Sequence, residues 1–385
     1  MVPTPVGGHL AAPRPAERPE HEPQRMSTVL LVGKGAPDRG GIPTFLETLL
    51  GSRLAEEHDL RFLNVAHAGT PEGGRATLGN ITRTLRDAWA VWRQASGCEI
   101  VHIHSALAPT VTVVRAALLA LAGRARGCAV VVHAHGGNIQ TWLATPWRRR
   151  LLRLAMRPAH RVVAVWTAGE QTLREVLPAD RVALIDNGVP VEGYPERQEG
   201  NEPPRVLYVG LLTPRKGVLD LLAASRLLRE RGVDHELLLL GGTPDEGPAA
   251  EAEVRAALDG SAKLLGTRPP EQMPAEFAAA DVFCLPSWWE AMPLSVLEAM
   301  AAGLPVVATD VGDVGRAVDD GVTGHVVPVR DPERLAEALE AVLTDRELRL
   351  KMGSAGRSRV VDLFSSEVTA ARVSELYAEL RGKGR

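Results

Sequence analysis

The stretch that decides the fold covers residues 281–310 and reads DVFCLPSWWEAMPLSVLEAMAAGLPVVATD. Its first part, DVFCLPS, and its last part, PVVATD, are short apolar runs typical of strands that are buried on both faces of a sheet. Between them LSVLEAMAA predicts a helix, because Pro293 suits a first helical turn, and Gly303 with Pro305 ends the pattern. A strand, a helix and a second strand in this order predict a crossover unit of a parallel sheet.

The same alternation of apolar runs and helical patterns begins at residue 28. The runs of the first half are TVLLVG (28–33), LRFLNVA (60–66), EIVHIHS (99–105), AVVVHAH (129–135), RVVAVW (161–166) and VALIDNGV (182–189). Those of the second half are RVLYVG (205–210), HELLLLGG (235–242) and AKLLG (262–266), followed by DVFCLPS and PVVATD. Three helical segments follow, from about 331 to 380. The chain is therefore predicted to form two doubly wound α/β domains, with ligands beyond the carboxyl ends of the strands.

Composition sets the limits of these two domains. We predict a disordered tail at 1–25, an N-terminal domain at 26–189, a proline-rich linker at 190–204 and a C-terminal domain at 205–365. The last segment, 366–385, is predicted as a helix that packs back on the N-terminal domain.

The bulk composition excludes several classes of protein. The chain has 385 residues, of which 45% are hydrophobic and 24% charged, as in a folded protein. Its net charge of −3 gives no overall attraction to nucleic acid. The apolar stretch at 106–123 is interrupted by Pro109 and Arg115, which favours a buried helix over a membrane span. Three cysteines and no signal-peptide pattern favour a reducing, cytoplasmic location.

Two carboxylates, Glu290 and Glu298, lie on either side of the start of the predicted helix. The first amides of a helix lack internal acceptors, so the amides at 292–295 form a potential anion site. Carboxylates accept hydrogen bonds from hydroxyls, and a vicinal diol suits one carboxylate well. The order acid, anion site, acid therefore fits sugar hydroxyls, a diphosphate and a ribose. The alternative is a surface helix whose acids face water.

The sequence PSWWEAMPLSVLEAMAAGLPVVATDVG resembles the signature of the retaining glycosyltransferases of family four. Four further segments fit the pattern of that family: DNGV (186–189), YVGLLTPRKGVLDLL (208–222), LLGT (264–267) and DGVTGHVVPVRDPERLAEAL (320–339). The resemblance implies GT-B architecture, in which two Rossmann-like domains face each other across a cleft. It also implies an N-terminal domain that binds the acceptor and a C-terminal domain that binds the nucleotide sugar.

The resemblance implies a metal-independent hexosyltransferase without a cofactor. Such an enzyme moves a sugar from a nucleotide diphosphate sugar to a hydroxyl of a glycan, a lipid-linked acceptor or a small molecule, and retains the anomeric configuration. By this resemblance Glu290 contacts the transferred sugar and Glu298 holds the ribose. The segment of Met292, Pro293 and Leu294 receives the sugar or the distal phosphate.

The phosphate-binding residues show one departure from the family. The family places an arginine where this chain has Leu211, whereas Lys216 keeps the position of the lysine that binds the diphosphate. Arg215 is a candidate substitute for the missing arginine. The loop after the first strand resembles the glycine-rich loop of the family, where Gly40 and Gly41 let the backbone approach the diphosphate and the acceptor.

Four histidines lie in two pairs, His102 with His104 and His133 with His135, and each pair occupies one face of a strand. Four imidazoles could bind zinc if the two strands were adjacent. The alternative is that these are strand-end histidines, one of which lines the cleft. His135 matches a family histidine near the transferred sugar, so its implied role is to position that sugar.

The segment 145–158 is a basic amphipathic helix that could contact an anionic membrane at its surface and admit a lipid-linked acceptor. The alternative is a solvated helix face. Two other functions stay open beside the transferase: a sugar-nucleotide epimerase of the same architecture, and a non-catalytic protein that binds sugar nucleotides.

Overall fold

The computed structural model describes residues 26–38, 40–66, 77–136, 139–195, 200–242, 248–258, 260 and 262–383. The tail that we predict at 1–25 lies outside the described residues. All statements below concern the described part of the chain.

The N-terminal half contains a six-stranded parallel sheet in the order β2-β1-β3-β4-β5-β6. Its strands are β1 (Thr28–Gly33), β2 (Asp59–Asn64), β3 (Ile100–Ser105), β4 (Ala129–Ala134), β5 (Arg161–Ala164) and β6 (Val182–Leu184). Its helices are α1 (Gly41–Leu50), α2 (Leu54–Glu57), α3 (Leu78–Gln94), α4 (Thr110–Ala125), α5 (Ile139–Leu143), α6 (Pro146–Ala155) and α7 (Thr167–Arg174). Strands β3 and β4 are wholly or almost wholly buried, as their continuous apolar runs predict.

The C-terminal half contains a second six-stranded parallel sheet in the order β12-β11-β10-β7-β8-β9. Its strands are β7 (Arg205–Val209), β8 (Glu236–Leu240), β9 (Ala262–Gly266), β10 (Val282–Leu285), β11 (Val306–Thr309) and β12 (Gly324–Val327). Its helices are α8 (Val218–Glu230), α9 (Pro248–Ala256), α10 (Met273–Ala278), α11 (Leu294–Ala301), α12 (Val314–Ala317), α13 (Pro332–Thr344) and α14 (Arg346–Leu363). The chain then continues into α15 (Ser366–Leu380). The predicted α/β class with two doubly wound sheets is confirmed.

All eleven predicted strands are present, and the structure adds β12, which the sequence analysis missed. This strand is only four residues long and begins with Gly324, a residue that is depleted in strands. A Cβ at Gly324 would overlap the main chain of Val306, so the glycine permits a close approach of β12 to β11. The strand conformation of β12 therefore results from pairing with β11 rather than from local strand propensity.

Helix α15 packs on the N-terminal sheet, although it follows the C-terminal half in sequence. Its buried residues, among them Val373 and Tyr377, share an apolar cluster with Leu31 on β1 and Phe45 on α1. The hydroxyl of Tyr377 lies 2.7 Å from Nδ1 of His102 on β3. This contact joins α15 to the N-terminal sheet. The domain limits given above stay predictions.

A substitution series at Tyr377 tests the docking of α15. Tyr377→Ala removes a fully buried ring, and we expect it to lower the free energy of unfolding by about 3–5 kcal/mol. Tyr377→Phe removes only the hydroxyl that meets His102, so we expect a loss of about 1–3 kcal/mol. Glu375→Ala on the exposed face of α15 is the matched control, with a change within about 0.5 kcal/mol. Equal urea midpoints for all three variants would contradict this docking.

Candidate active site

The carboxylate of Glu290 lies in the loop between β10 and α11 and is almost completely buried. Nζ of Lys216 lies 2.5 Å from its Oε1, and Oγ of Ser287 donates a hydrogen bond to the same oxygen at 2.7 Å. Burial of a carboxylate is costly unless it is paired and hydrogen-bonded, and these two donors satisfy that condition. The sequence analysis named Glu290 and Lys216 separately; the structure brings them together.

Close contact between two loops makes this ion pair possible. Lys216 ends the turn after β7, and Gly217 follows it with a φ of 69°. A Cβ at Gly217 would overlap the main-chain carbonyl of Pro286, so only glycine allows this approach. The main-chain amide of Trp288 donates to the carbonyl of Arg215 at 2.9 Å and ties the same loops together.

Helix α11 begins at Leu294, so Pro293 is the residue before the helix and not part of its first turn as predicted. The extended ψ of 120° at Pro293 explains the difference, because this residue still belongs to the loop. The amides of Leu294 and Ser295 are the first of the helix and lack intrahelical acceptors. Asn187 anchors this helix start, since its Nδ2 donates to the carbonyl of Met292 at 2.8 Å.

Glu298 lies on α11, and its side chain is half-buried. The hydroxyl of Tyr194 donates to its Oε1 at 3.0 Å. Burial raises the pKa of Glu298 to about 7, although the hydrogen bond from Tyr194 opposes the shift. Tyr194 belongs to the predicted linker, and the sequence analysis missed its part in this site.

The end of β4 faces the Glu290 loop from the N-terminal half. A Cβ on Gly136 would lie 3.8 Å from the side chains of both Ala291 and Trp289. Ala291 is buried in the apolar cluster of the N-terminal half, and Trp289 packs against that cluster. The two halves therefore meet next to His135 and Glu290, at the carboxyl ends of β4 and β10.

The four histidines form one cluster, in which His135 is half-buried and the other three are buried, because β3 and β4 are adjacent and pair His104 with His133. Nε2 of His102 lies 3.2 Å from Nδ1 of His133, and Nδ1 of His104 lies 2.9 Å from Nε2 of His135. Burial lowers the pKa of His102 and of His135 to about 3, and it also lowers the pKa values of His104 and His133. The imidazoles are therefore neutral at pH 7.

Three of the four histidines lie close enough together to bind one metal ion. His102, His104 and His133 each bring a ring nitrogen within 4.8 Å of the other two. Nε2 atoms of His104 and His133 are buried without a hydrogen-bond partner within the described chain. The remaining described contacts are hydrogen bonds between imidazoles and with Tyr377, which need no metal. His135 is thus held by His104 at the edge of the cleft.

The predicted phosphate-binding residues occupy the loops after β7 and β1. Leu211 is half-buried, and its carbonyl accepts a hydrogen bond from Tyr208 at 2.7 Å. Gly40 precedes α1 with a φ of 117°, a conformation that favours glycine. A Cβ at Gly40 or Gly41 would meet no atom of the described residues within 4 Å.

A second group of polar residues, which the sequence analysis did not assign, joins the two halves. Asp186 is buried and accepts hydrogen bonds from Arg316 at 2.8 Å and from Arg372 at 2.7 Å. Asp313 accepts from the amide and hydroxyl of Thr167 at 2.8 and 2.9 Å. The DNGV motif includes Asp186 and could have indicated it, but a local motif does not reveal its distant partners Arg316 and Arg372.

The family follows from comparison with known proteins. The family model described as Glycosyltransferase Family 4 matches residues 28–192, and the model for Glycosyl transferases group 1 matches residues 195–359. A GDP-mannose-dependent alpha-(1-6)-phosphatidylinositol monomannoside mannosyltransferase from Mycolicibacterium smegmatis is 30% identical over 387 residues, covering 92% of this chain and 98% of that protein. The chain belongs to glycosyltransferase family 4. The resemblance drawn from its signature is confirmed.

Other similar proteins agree with this family. A D-inositol 3-phosphate glycosyltransferase from Corynebacterium efficiens is 35% identical over 219 residues, 52% of this chain and 51% of that protein, so the match spans about half of that relative. Sucrose-phosphate synthase from Thermosynechococcus elongatus has a TM-score of 0.73 at 22% identity over 92% of this chain and 99% of that one. At this identity the likeness shows the fold alone, and that fold is GT-B, as predicted.

The predicted phosphate-binding residues of this family 4 protein can be tested at three positions. If Lys216 binds the diphosphate, as the resemblance implies, Lys216→Ala should lower the turnover number by about 10²- to 10³-fold, because Leu211 would leave more of the developing charge to Lys216. Arg215→Ala should cost less, and Leu211→Arg should lower the donor Michaelis constant. Lys263→Ala is the control, because this exposed lysine on β9 pairs with Glu236 at 2.6 Å. Near-normal turnover of Lys216→Ala would refute the assignment.

The ionisation of Glu298 predicts proton release when a nucleotide binds. Near pH 7 the carboxyl is about half protonated, whereas the two hydroxyls of a ribose held by Glu298, as the resemblance implies, would donate best to its ionised form. Binding should then lower this pKa and release roughly half a proton at pH 7, and the release should fade above pH 8. Calorimetry in two buffers of different ionisation enthalpy measures it. Glu298→Gln should abolish the release; release that persists in that variant would refute the ribose role.

Proposed function

We propose that this protein is a retaining, metal-independent glycosyltransferase that moves a sugar from a nucleotide diphosphate sugar to a hydroxyl acceptor. The observation that carries the proposal is the buried pair of Lys216 and Glu290 beside the start of α11, opposite the end of β4. Membership of family 4 supports the reaction class.

The donor would lie along the start of α11. The diphosphate would take the free amides at Leu294 and Ser295, where the helix dipole favours an anion. An ammonium has three donors, so Lys216 can keep Glu290 and still reach a phosphate oxygen. Glu290 would accept from hydroxyls of the transferred sugar, and Glu298 from the ribose diol.

The chemical step would break the bond between the anomeric carbon and the phosphate oxygen. The acceptor hydroxyl would form the new bond on the same face and give its proton to the departing phosphate. Lys216 and the helix amides would stabilise the negative charge that develops on that phosphate. His135 would position the sugar from the N-terminal side, and Gly40 and Gly41 would allow the acceptor and diphosphate to approach the backbone.

Neither alternative function gains support from the comparisons. The two relatives reported above are named as a glycosyltransferase and a mannosyltransferase, and neither is named as an epimerase. A non-catalytic role was suggested by Leu211, yet the lysine and both glutamates of the signature are present, and Lys216 contacts Glu290. These features favour a catalytic site.

A lipid-linked acceptor and peripheral contact with the inner face of a membrane belong to the same proposal. In the part of the chain that the structure describes, every helix is too short or too polar to span a bilayer. Within 145–158, Arg149 donates to the Leu143 carbonyl at 2.9 Å and pairs with Glu175, while Arg153 donates to Val176. Trp147 remains exposed. Two arginines of α6, Arg149 and Arg153, are therefore engaged in contacts within the protein.

The reaction can be tested with a panel of nucleotide sugars, each incubated alone and then with candidate hydroxyl acceptors. A transferase consumes the donor only when the acceptor is present, an epimerase converts the donor alone, and a binding protein does neither. We expect full activity after removal of metals with a chelator, because protein groups neutralise the diphosphate. Activity that disappears with the chelator and returns with zinc would favour the histidine cluster as a metal site instead.

A further inference from the structure

Helix α3 carries a row of large apolar side chains on its outer face. The exposed members are Leu78, Ile81, Leu85, Trp89 and Trp92, which we call the α3 stripe. Leu78 is 83% exposed and Trp89 is 56% exposed. The members are three or four residues apart, so they line one side of the helix. An apolar stripe normally faces the core, and here it faces outward.

The inner face of α3 is occupied by other residues, so the helix is not placed with its apolar side toward the sheet. Thr84, Asp87 and Val91 are the buried residues of α3. The carboxylate of Asp87 accepts a hydrogen bond from Arg115 of α4 at 2.8 Å, which fixes α3 against its neighbour. The orientation of the stripe is therefore set by packing and by a buried ion pair.

The exposed apolar surface continues onto the helices that pack beside α3. Helix α4 contacts both α3 and α6, and these helices also expose large apolar residues. The additional residues are Val114, Leu121, Trp147 and Leu154. Together with the stripe they make up nine of the fifteen exposed large hydrophobic side chains in the described part of the chain. Large apolar residues exposed on three helices that pack side by side indicate a candidate interaction surface.

The charge of the same layer is strongly positive. Residues 77–126 and 139–157 hold eleven arginines and two acidic residues, although the whole chain has a net charge of −3. One of those acids, Asp87, is already paired. The guanidinium of Arg93 lies 5.0 Å from the ring centroid of Trp89, and that of Arg126 lies 4.8 Å from the ring centroid of Trp92. Cations thus border the apolar stripe directly.

We infer that the outer face of α3, continued by α4 and α6, docks on the surface of an anionic lipid bilayer. The aliphatic and tryptophan side chains suit the boundary between headgroups and acyl chains, and the arginines suit anionic headgroups. A second copy of the same face would oppose arginine to arginine, and a nucleic acid would gain little from Leu78, Ile81 and Leu85. This inference extends the proposed contact at 145–158 to the whole layer, and it does not depend on sugar transfer.

Sedimentation with lipid vesicles tests the inference on the full chain. We expect binding to vesicles of phosphatidylcholine with phosphatidylglycerol, at least tenfold weaker binding to phosphatidylcholine alone, and weakening by salt. Leu85→Gln combined with Trp89→Gln should reduce the binding at least tenfold. The matched control combines Leu350→Gln with Val361→Gln on α14, which are 40% and 46% exposed, and should change it less than twofold.

Two further measurements keep the test decisive. Quenching of wild-type tryptophan fluorescence by brominated lipid needs no variant, and we expect it only with anionic vesicles. Wild type that neither sediments with anionic vesicles nor shows this quenching would overturn the inference, as would equal losses in the α3 and control variants. A concentration-dependent dimer that the α3 substitutions abolish, without vesicle binding, would assign the face to a second copy. Transfer to a soluble acceptor, measured in parallel, tests the proposed function separately.

Discussion

The buried carboxylate of Asp186 links the N-terminal sheet to the C-terminal half and to α15 by charge pairing. A buried charge must be neutralised by nearby partners, and both of its arginines come from beyond the N-terminal sheet. Arg316 belongs to the C-terminal half, and Arg372 belongs to α15, which lies on the N-terminal sheet. Asp186 thereby ties the loop after β6 to the C-terminal half through Arg316 and to α15 through Arg372.

The geometry of the candidate site follows from this arrangement and from the direction of the strands. Parallel strands bring their carboxyl ends to one edge of a sheet, so the loops after β4, β7 and β10 meet at the cleft. Glycines then allow the loops to approach at backbone distance: Gly217 lies against Pro286, and Gly312, with a φ of 55°, lies against the main chain of Glu290. Because the loops lie this close together, the side chain of Lys216 can reach the carboxylate of Glu290.

The two faces of the N-terminal sheet have different surroundings. On one face α1 and α15 cover the histidine cluster, where burial keeps the imidazoles neutral and Tyr377 contacts His102. On the other face α3 and α4 cover the sheet while α3 leaves its tryptophans outside. The first face supports the end of β4 and so the position of His135. The second carries the α3 stripe, whose docking and sugar transfer can be measured separately.

The sequence by itself determined eleven of the twelve described strands, the crossover helices and the family, and it singled out Glu290, Glu298 and Lys216 as candidate site residues, because these depend on periodicity and motifs within short segments. Only the tertiary structure decided which of them meet. Lys216 and Glu290 are 74 residues apart, and the sequence analysis missed Tyr194, 104 residues from Glu298, because no local pattern encodes a contact of that range. Tertiary contacts also decided two other features. Strand β12 forms because it pairs with β11, and the α3 stripe faces outward because α3 packs against α4.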